Sequence, residues 1–122
     1  MFIGYQGENP SLIKETKEEL ENIPYLKFDS IKEVPFAEMF NGVIYLSEEE
    51  LTSAKSNKIR KIRDNYLTSY VDPIVTNPLR WEDMSEEEKT QVKNYRSYLL
   101  NITDDTSFPE VTVLTFEEWK KI

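Results

Sequence analysis

Two helix-start signals, Ser47-Glu48-Glu49-Glu50 and Ser85-Glu86-Glu87-Glu88, constrain this chain more than any other feature. In each, a serine is followed three residues later by glutamate. The hydroxyl can then accept from that glutamate's amide while its carboxylate returns to the serine N–H. Leu46 and Leu51 flank the first box at the spacing of a hydrophobic staple. Behind it, Leu51, Ala54, Ile59, Ile62, Tyr66 and Tyr70 recur at spacings near three to five, which predicts a helix to about Tyr70. Asp72-Pro73 is expected to end it, because proline disfavours a helical residue before it, and Asn77-Pro78 marks the far side of a loop. Val92, Tyr95, Leu99 and Ile102 then form one apolar stripe. Such a stripe needs a partner face, and an antiparallel helical hairpin supplies one.

The flanks read differently. Met1 to Tyr5 is predicted as a strand, with Gly4 at a bulge or a close approach and Gly7 to Pro10 ending it. Thr16 with Glu19 makes another capping box, which starts a short helix over Lys17 to Asn22 that Pro24 stops. Tyr25 to Val34 alternates imperfectly, as one irregular strand or two short ones, and Asn41-Gly42 turns the chain into a strand over Val43 to Leu46. After Phe108-Pro109, Val111 to Val113 is expected to be a short strand joining the N-terminal sheet. A last helical turn over Phe116 to Lys120 carries Trp119. The predicted fold is α+β: a small N-terminal β-sheet with a short helix over residues 1–46, then a helical hairpin with a C-terminal strand over residues 47–122, together one compact unit. At 122 residues the chain has room for little more.

Composition narrows the chemistry. The chain has no Cys and no His, so thiolate nucleophiles, Cys/His zinc sites and the usual catalytic triads are out of reach. The carboxylates fall at helix starts and in loops, where capping and solvation account for them, and no phosphate-cradling glycine loop exists among three scattered glycines. The Asp104-Asp105 loop lacks the alternating oxygen ligands of a calcium loop. These readings lead to an expectation of no enzyme activity, no cofactor and no metal. A net charge of −8 argues against general binding to nucleic acid. The basic run Lys55, Lys58, Arg60, Lys61 and Arg63 reads as a solvated helix face. No stretch approaches a membrane span and no basic-then-apolar leader is present, so neither membrane association nor export is expected and a cytoplasmic location is the default.

Five residues are candidates for partner contact. Val43 and Tyr45 lie on a strand that could accept another strand, and Arg63, Trp81 and Arg96 are of types favoured as interface anchors. Arg96 is alternatively expected to pair with an acid such as Asp64 on the facing helix.

In order and spacing, Arg63-Asp64 early in the first long helix, Tyr95-Arg96 in the second, Leu99 three residues on and Phe108-Pro109 before a β-branched run resemble the C-terminal region of phage tail fibre assembly chaperones, over about residues 59–113. The resemblance makes Asp64, Tyr95, Leu99, Phe108 and Pro109 the structural signature. It implies a non-enzymatic phage or prophage factor, tailocin-like in setting, that binds a fibre or receptor-binding protein and promotes its folding, trimerisation or attachment. The chain departs from larger members in its very short N-terminal portion and in lacking Trp-Pro after the strand. Two other classes remain open: a structural tail or baseplate component retained in the particle, and an acidic inhibitor of a nucleic-acid enzyme. The tyrosine-rich helix pair leaves a homodimer open as well.

Overall fold

A computed structural model describes residues 1–122. The fold is α+β, and chain contacts divide it into two units, Met1–Ala54 and Lys55–Ile122.

In the first unit, β1 (Phe2–Gln6) is the central strand of three, flanked antiparallel by β2 (Asn9–Lys14) and β3 (Ser30–Glu33). Gly7-Glu8-Asn9-Pro10 therefore does not end the β structure. Gly7, at φ +65°, turns it into a hairpin, and its amide donates to the Asp29 carboxylate. The strand β2 lies outside the sequence expectation, and its Pro10 is accommodated because β2 is an edge strand. Gly4 meets both expectations placed on it. The register slips between Gly4 and Tyr5, and the Phe28 ring lies where a Cβ on Gly4 would be, 2.5 Å from its nearest atom. A helix α1 (Lys17–Glu21) follows, with Thr16 accepting from the Glu19 amide and burying Leu20. Of the segment Tyr25 to Val34, only β3 is strand; Tyr25 is fully exposed. A separate two-stranded sheet pairs β4 (Glu38–Phe40) with β5 (Val43–Tyr45). Asn41 and Gly42 close it with φ of 50° and 78°, the two positive values that an Asn-Gly turn joining right-twisted strands requires.

The second unit is helical. Helix α2 (Glu48–Tyr66), whose residues up to Ala54 belong to the first unit and the rest to the second, starts where the capping box places it, the Glu50 amide donating to the Ser47 hydroxyl. It does not stop before Asp72-Pro73. A π-helical turn (Leu67–Val71) leads straight into α3 (Asp72–Val75), and the Asp72 amide donates to the Leu67 carbonyl one residue further back than in an α-helix. In an α-helix Pro73 would clash with the Ser69 carbonyl and withhold its N–H; the wider π turn accommodates the ring. Asn77-Pro78 opens a further turn, α4 (Pro78–Glu82), in place of loop. Helix α5 (Glu86–Leu100) carries the complete Ser85–Glu88 capping box.

No strand forms at Val111–Val113. That segment runs extended beside α5 and its polar backbone is met by tyrosines. The Tyr95 hydroxyl donates to the Leu114 carbonyl at 2.7 Å, and the Leu114 amide donates to the Tyr98 hydroxyl at 3.0 Å. The Tyr98 hydroxyl also donates to the Thr112 carbonyl, so these tyrosines, not a strand ladder, meet part of this backbone. Phe108-Pro109, joined by a cis peptide bond, packs in this unit, the Phe108 ring beneath the Arg60 guanidinium. A final helix α6 (Phe116–Lys120) has a capping box of its own, Thr115 with Glu118. Tyr95, Leu99, Val71, Val92, Ile102, Ile59 and Val113 form the buried core. No helix is long and apolar enough to cross a membrane.

Candidate functional site

The π turn, α3, α4, α5 and the start of α6 surround a cleft of about 650 Å³ in the second unit. Its inner surface is apolar: Val71, Val92 and Tyr95 are buried, and Ile74, Met84 and Phe116 are half-buried. Its outer rim is exposed, formed by Ser69, Tyr70, Pro73, Arg80, Glu88 and Glu117. Local sequence explains the layout. The π turn shifts the helix phase just before Pro73, so Val71 points to the core and Tyr70 outward, with Tyr70 53% exposed and edge-on to Tyr66.

The polar groups of the cleft are nearly all engaged by their own elements. Ser69 donates to Asn65, the Glu88 carboxylate accepts from the Ser85 amide, Thr115 accepts from the Glu118 amide, and Glu117 pairs with Lys120 at 3.3 Å. The Tyr95 hydroxyl is spent on Leu114. Burial, and then the charges of the nearby Tyr66, Tyr98 and Tyr70 side chains, push Tyr95 up to about 12 from an ordinary 10.0. It stays neutral at physiological pH and serves packing, with Phe116 and Trp119 at 5.2 and 5.5 Å. No ion pair or hydrogen bond engages the Arg80 guanidinium.

The sequence-derived candidates fall into separate places. On β5, Val43 and Tyr45 share one face with Glu38 and Phe40 of β4, because the register pairs Phe40 with Val43 and Glu38 with Tyr45 and side chains alternate. Val43 is half exposed and Tyr45 half-buried. Trp81, on α4, has the ammonium groups of Lys89 and Lys93 over its ring at 5.8 and 5.7 Å. Arg63 binds Asp64, its chain neighbour, at 2.9 Å. That corrects the expected Arg96–Asp64 pair: an adjacent arginine reaches Asp64 without crossing to another helix, and Arg96 remains exposed on α5. No hydrogen bond, ion pair or ring contact joins Arg63, Trp81 and Arg96 into one surface. The signature residues Tyr95, Leu99 and Phe108 are all packing groups. The basic run of α2 is largely absorbed too: Lys55 pairs with Glu110 at 2.8 Å and Arg60 covers Phe108.

Of the cleft residues, Ile74, Arg80 and Met84 carry no expectation from the sequence, and Tyr70, expected among the recurring apolar positions of the first long helix, lies exposed at the rim. Nowhere do three carboxylates converge as they would on a metal ion. Comparison with protein-family models, curated proteins and solved structures found no match for this chain.

Proposed function

We propose that this protein is a non-enzymatic assembly chaperone for a phage or prophage tail fibre or receptor-binding protein, acting in the cytoplasm of the producing cell. The order and spacing of the helical-region residues suggest the family; the observation that carries the binding mode is the β4–β5 hairpin. No third strand pairs with either member, and Met39 and Val43 near the turn and Leu46 just after β5 are each close to half exposed. A two-stranded sheet is marginal by itself, and an added strand would supply main-chain hydrogen bonds while Val43 and Tyr45 set side-chain preference. The surrounding charge suits a holding role. The unit Met1–Ala54 carries four basic and eleven acidic residues, a net of −7, whereas Lys55–Ile122 carries eleven and twelve, a net of −1. Concentrated negative charge keeps a complex with an aggregation-prone strand in solution.

The test is co-expression with the fibre or receptor-binding protein encoded beside it, measuring soluble trimeric fibre with and without this chain. Trimer that requires the chain, together with its absence from purified particles, supports the proposal. Fibre that assembles unaided refutes it, and a chain retained in the particle makes it a structural tail component.

A further inference from the structure

The cleft of the second unit is a site the hairpin does not explain. Its floor is apolar, and of the charged residues at its rim, Arg80, Glu88 and Glu117, only Arg80 lacks a local side-chain partner. Ser69, Glu88, Thr115 and Glu117 are held by neighbours in their own helices or caps, whereas Arg80 on α4 has no partner. A guanidinium beside apolar surface is matched by a carboxylate, which it can bind through two parallel N–H···O bonds. The rim also decides the size of the occupant. Pockets for small molecules bury most of the ligand, but here Tyr70, Pro73, Arg80, Glu88 and Glu117 are all exposed around a floor of Val71, Val92 and Tyr95. A small ligand would leave this rim wet; side chains projecting from a larger body would be covered by that body. About 650 Å³ accommodates two or three large side chains.

We infer that this cleft receives a peptide segment of a partner protein in which a carboxylate stands next to one or two large apolar side chains, the carboxylate on Arg80 and the apolar groups over Val71, Ile74, Met84, Val92 and Phe116. The inference rests on the reading that this protein works by binding a partner, but not on which partner. Tyr70 and Pro73 flank the entry, and the π turn that admits Pro73 also sets Tyr70 at the rim. The two glutamates, already engaged, disfavour a segment with further acids and so limit the match to a single one.

The experiment is selection of a random peptide library on the immobilised full chain, with Arg80→Gln as a parallel target, followed by amide chemical-shift mapping of the enriched peptides. Enrichment of peptides joining Asp or Glu to Phe, Trp, Leu or Met, shifts at Val71, Ile74, Met84 and Val92, about tenfold weaker binding to Arg80→Gln and only partial recovery in Arg80→Lys, which restores the charge but not the paired N–H donors, are expected. Arg80 is exposed, so its substitution leaves the fold intact. Enriched peptides without an acid, equal binding to Arg80→Gln, shifts elsewhere or no enrichment would overturn the inference. Decanoate, titrated separately, would overturn the peptide assignment if it shifted the same amides at concentrations as low as the peptides do. Fibre solubilised equally by wild type and Arg80→Gln would remove the cleft from fibre assembly while leaving the chaperone proposal standing.

Discussion

The two units are built on different physics. Met1–Ala54 buries Ile3, Leu20, Ala37 and Leu51 and otherwise depends on strand ladders, two positive-φ turns and a ring laid over a glycine. Lys55–Ile122 concentrates its burial around one tyrosine, which touches Tyr98, Phe116 and Trp119 and hydrogen-bonds the tail. The first unit also carries nearly all the net charge. The difference teaches that, within one chain, a short acidic unit can be held largely by strand ladders and turns while a nearly neutral unit is held by a cluster of apolar and aromatic side chains.

Both tryptophans, Trp81 and Trp119, lie in the second unit, so their fluorescence reports on it alone, while amide exchange at Ile3 and Gly4 reports on the first. Tyr95→Ala should have the largest effect, about 3–5 kcal/mol in urea unfolding followed by tryptophan fluorescence, as for other large buried aromatics. If exchange at Ile3 accelerates by the same free energy, the units unfold as one and the distinction between them breaks. Gly4→Ala is the reciprocal probe. Its Cβ would collide with the Phe28 ring, costing about 1–3 kcal/mol, and the cost should fall when Phe28→Ala is combined with it.

Alkaline titration gives a finer comparison. The folded pKa of Tyr95, about 12, lies above the ordinary 10.0, so the folded state holds this proton more tightly than the unfolded one. The resulting stability is complete below pH 10 and is lost as pH rises towards 12. The second unit should therefore loosen across that window in wild type, and Tyr95→Phe should flatten this part of the profile while being less stable at neutral pH, since the Leu114 carbonyl loses its donor. An unchanged profile in Tyr95→Phe would assign the alkaline loss to other groups. The smallest expected effect on stability is at the hairpin: Val43→Lys, half exposed, should change unfolding by no more than about 0.5 kcal/mol. It should nevertheless abolish fibre solubilisation. Retained solubilisation would separate the hairpin from partner binding.

The elements legible in the sequence were those written in local rules. The Ser85–Glu88 box, the Asn41-Gly42 turn and the double role of Gly4 each depend on residues a few positions apart or on the absence of a side chain. The stripe Val92, Tyr95, Leu99 and Ile102 is buried as its spacing requires. The readings that failed depended on what the chain meets at a distance. Proline signals placed a helix end at Asp72 and a break at Asn77-Pro78; a π turn carried the helix past Asp72, while the break at Asn77 is present but is followed at once by a short helix in place of loop. The Val111–Val113 run has strand composition, yet no strand pairs with it; Tyr98 donates to the Thr112 carbonyl, and Tyr95 and Tyr98 engage the backbone of Leu114 just after it.

For the candidate sites the division is similar. The sequence by itself determined that Val43 and Tyr45 would sit on a strand following a tight turn, that cysteine and histidine chemistry is excluded, and where three helices begin, because capping, turn geometry and composition act over a few residues. Tertiary structure alone decided that Asp64 is taken by Arg63, that Tyr95 organises the second core, and that Arg80 is left facing an apolar cleft. Those outcomes depend on which side chain arrives first at a charge or a carbonyl across the fold, and on the helix phase set by a single π turn, neither of which spacing along the chain encodes.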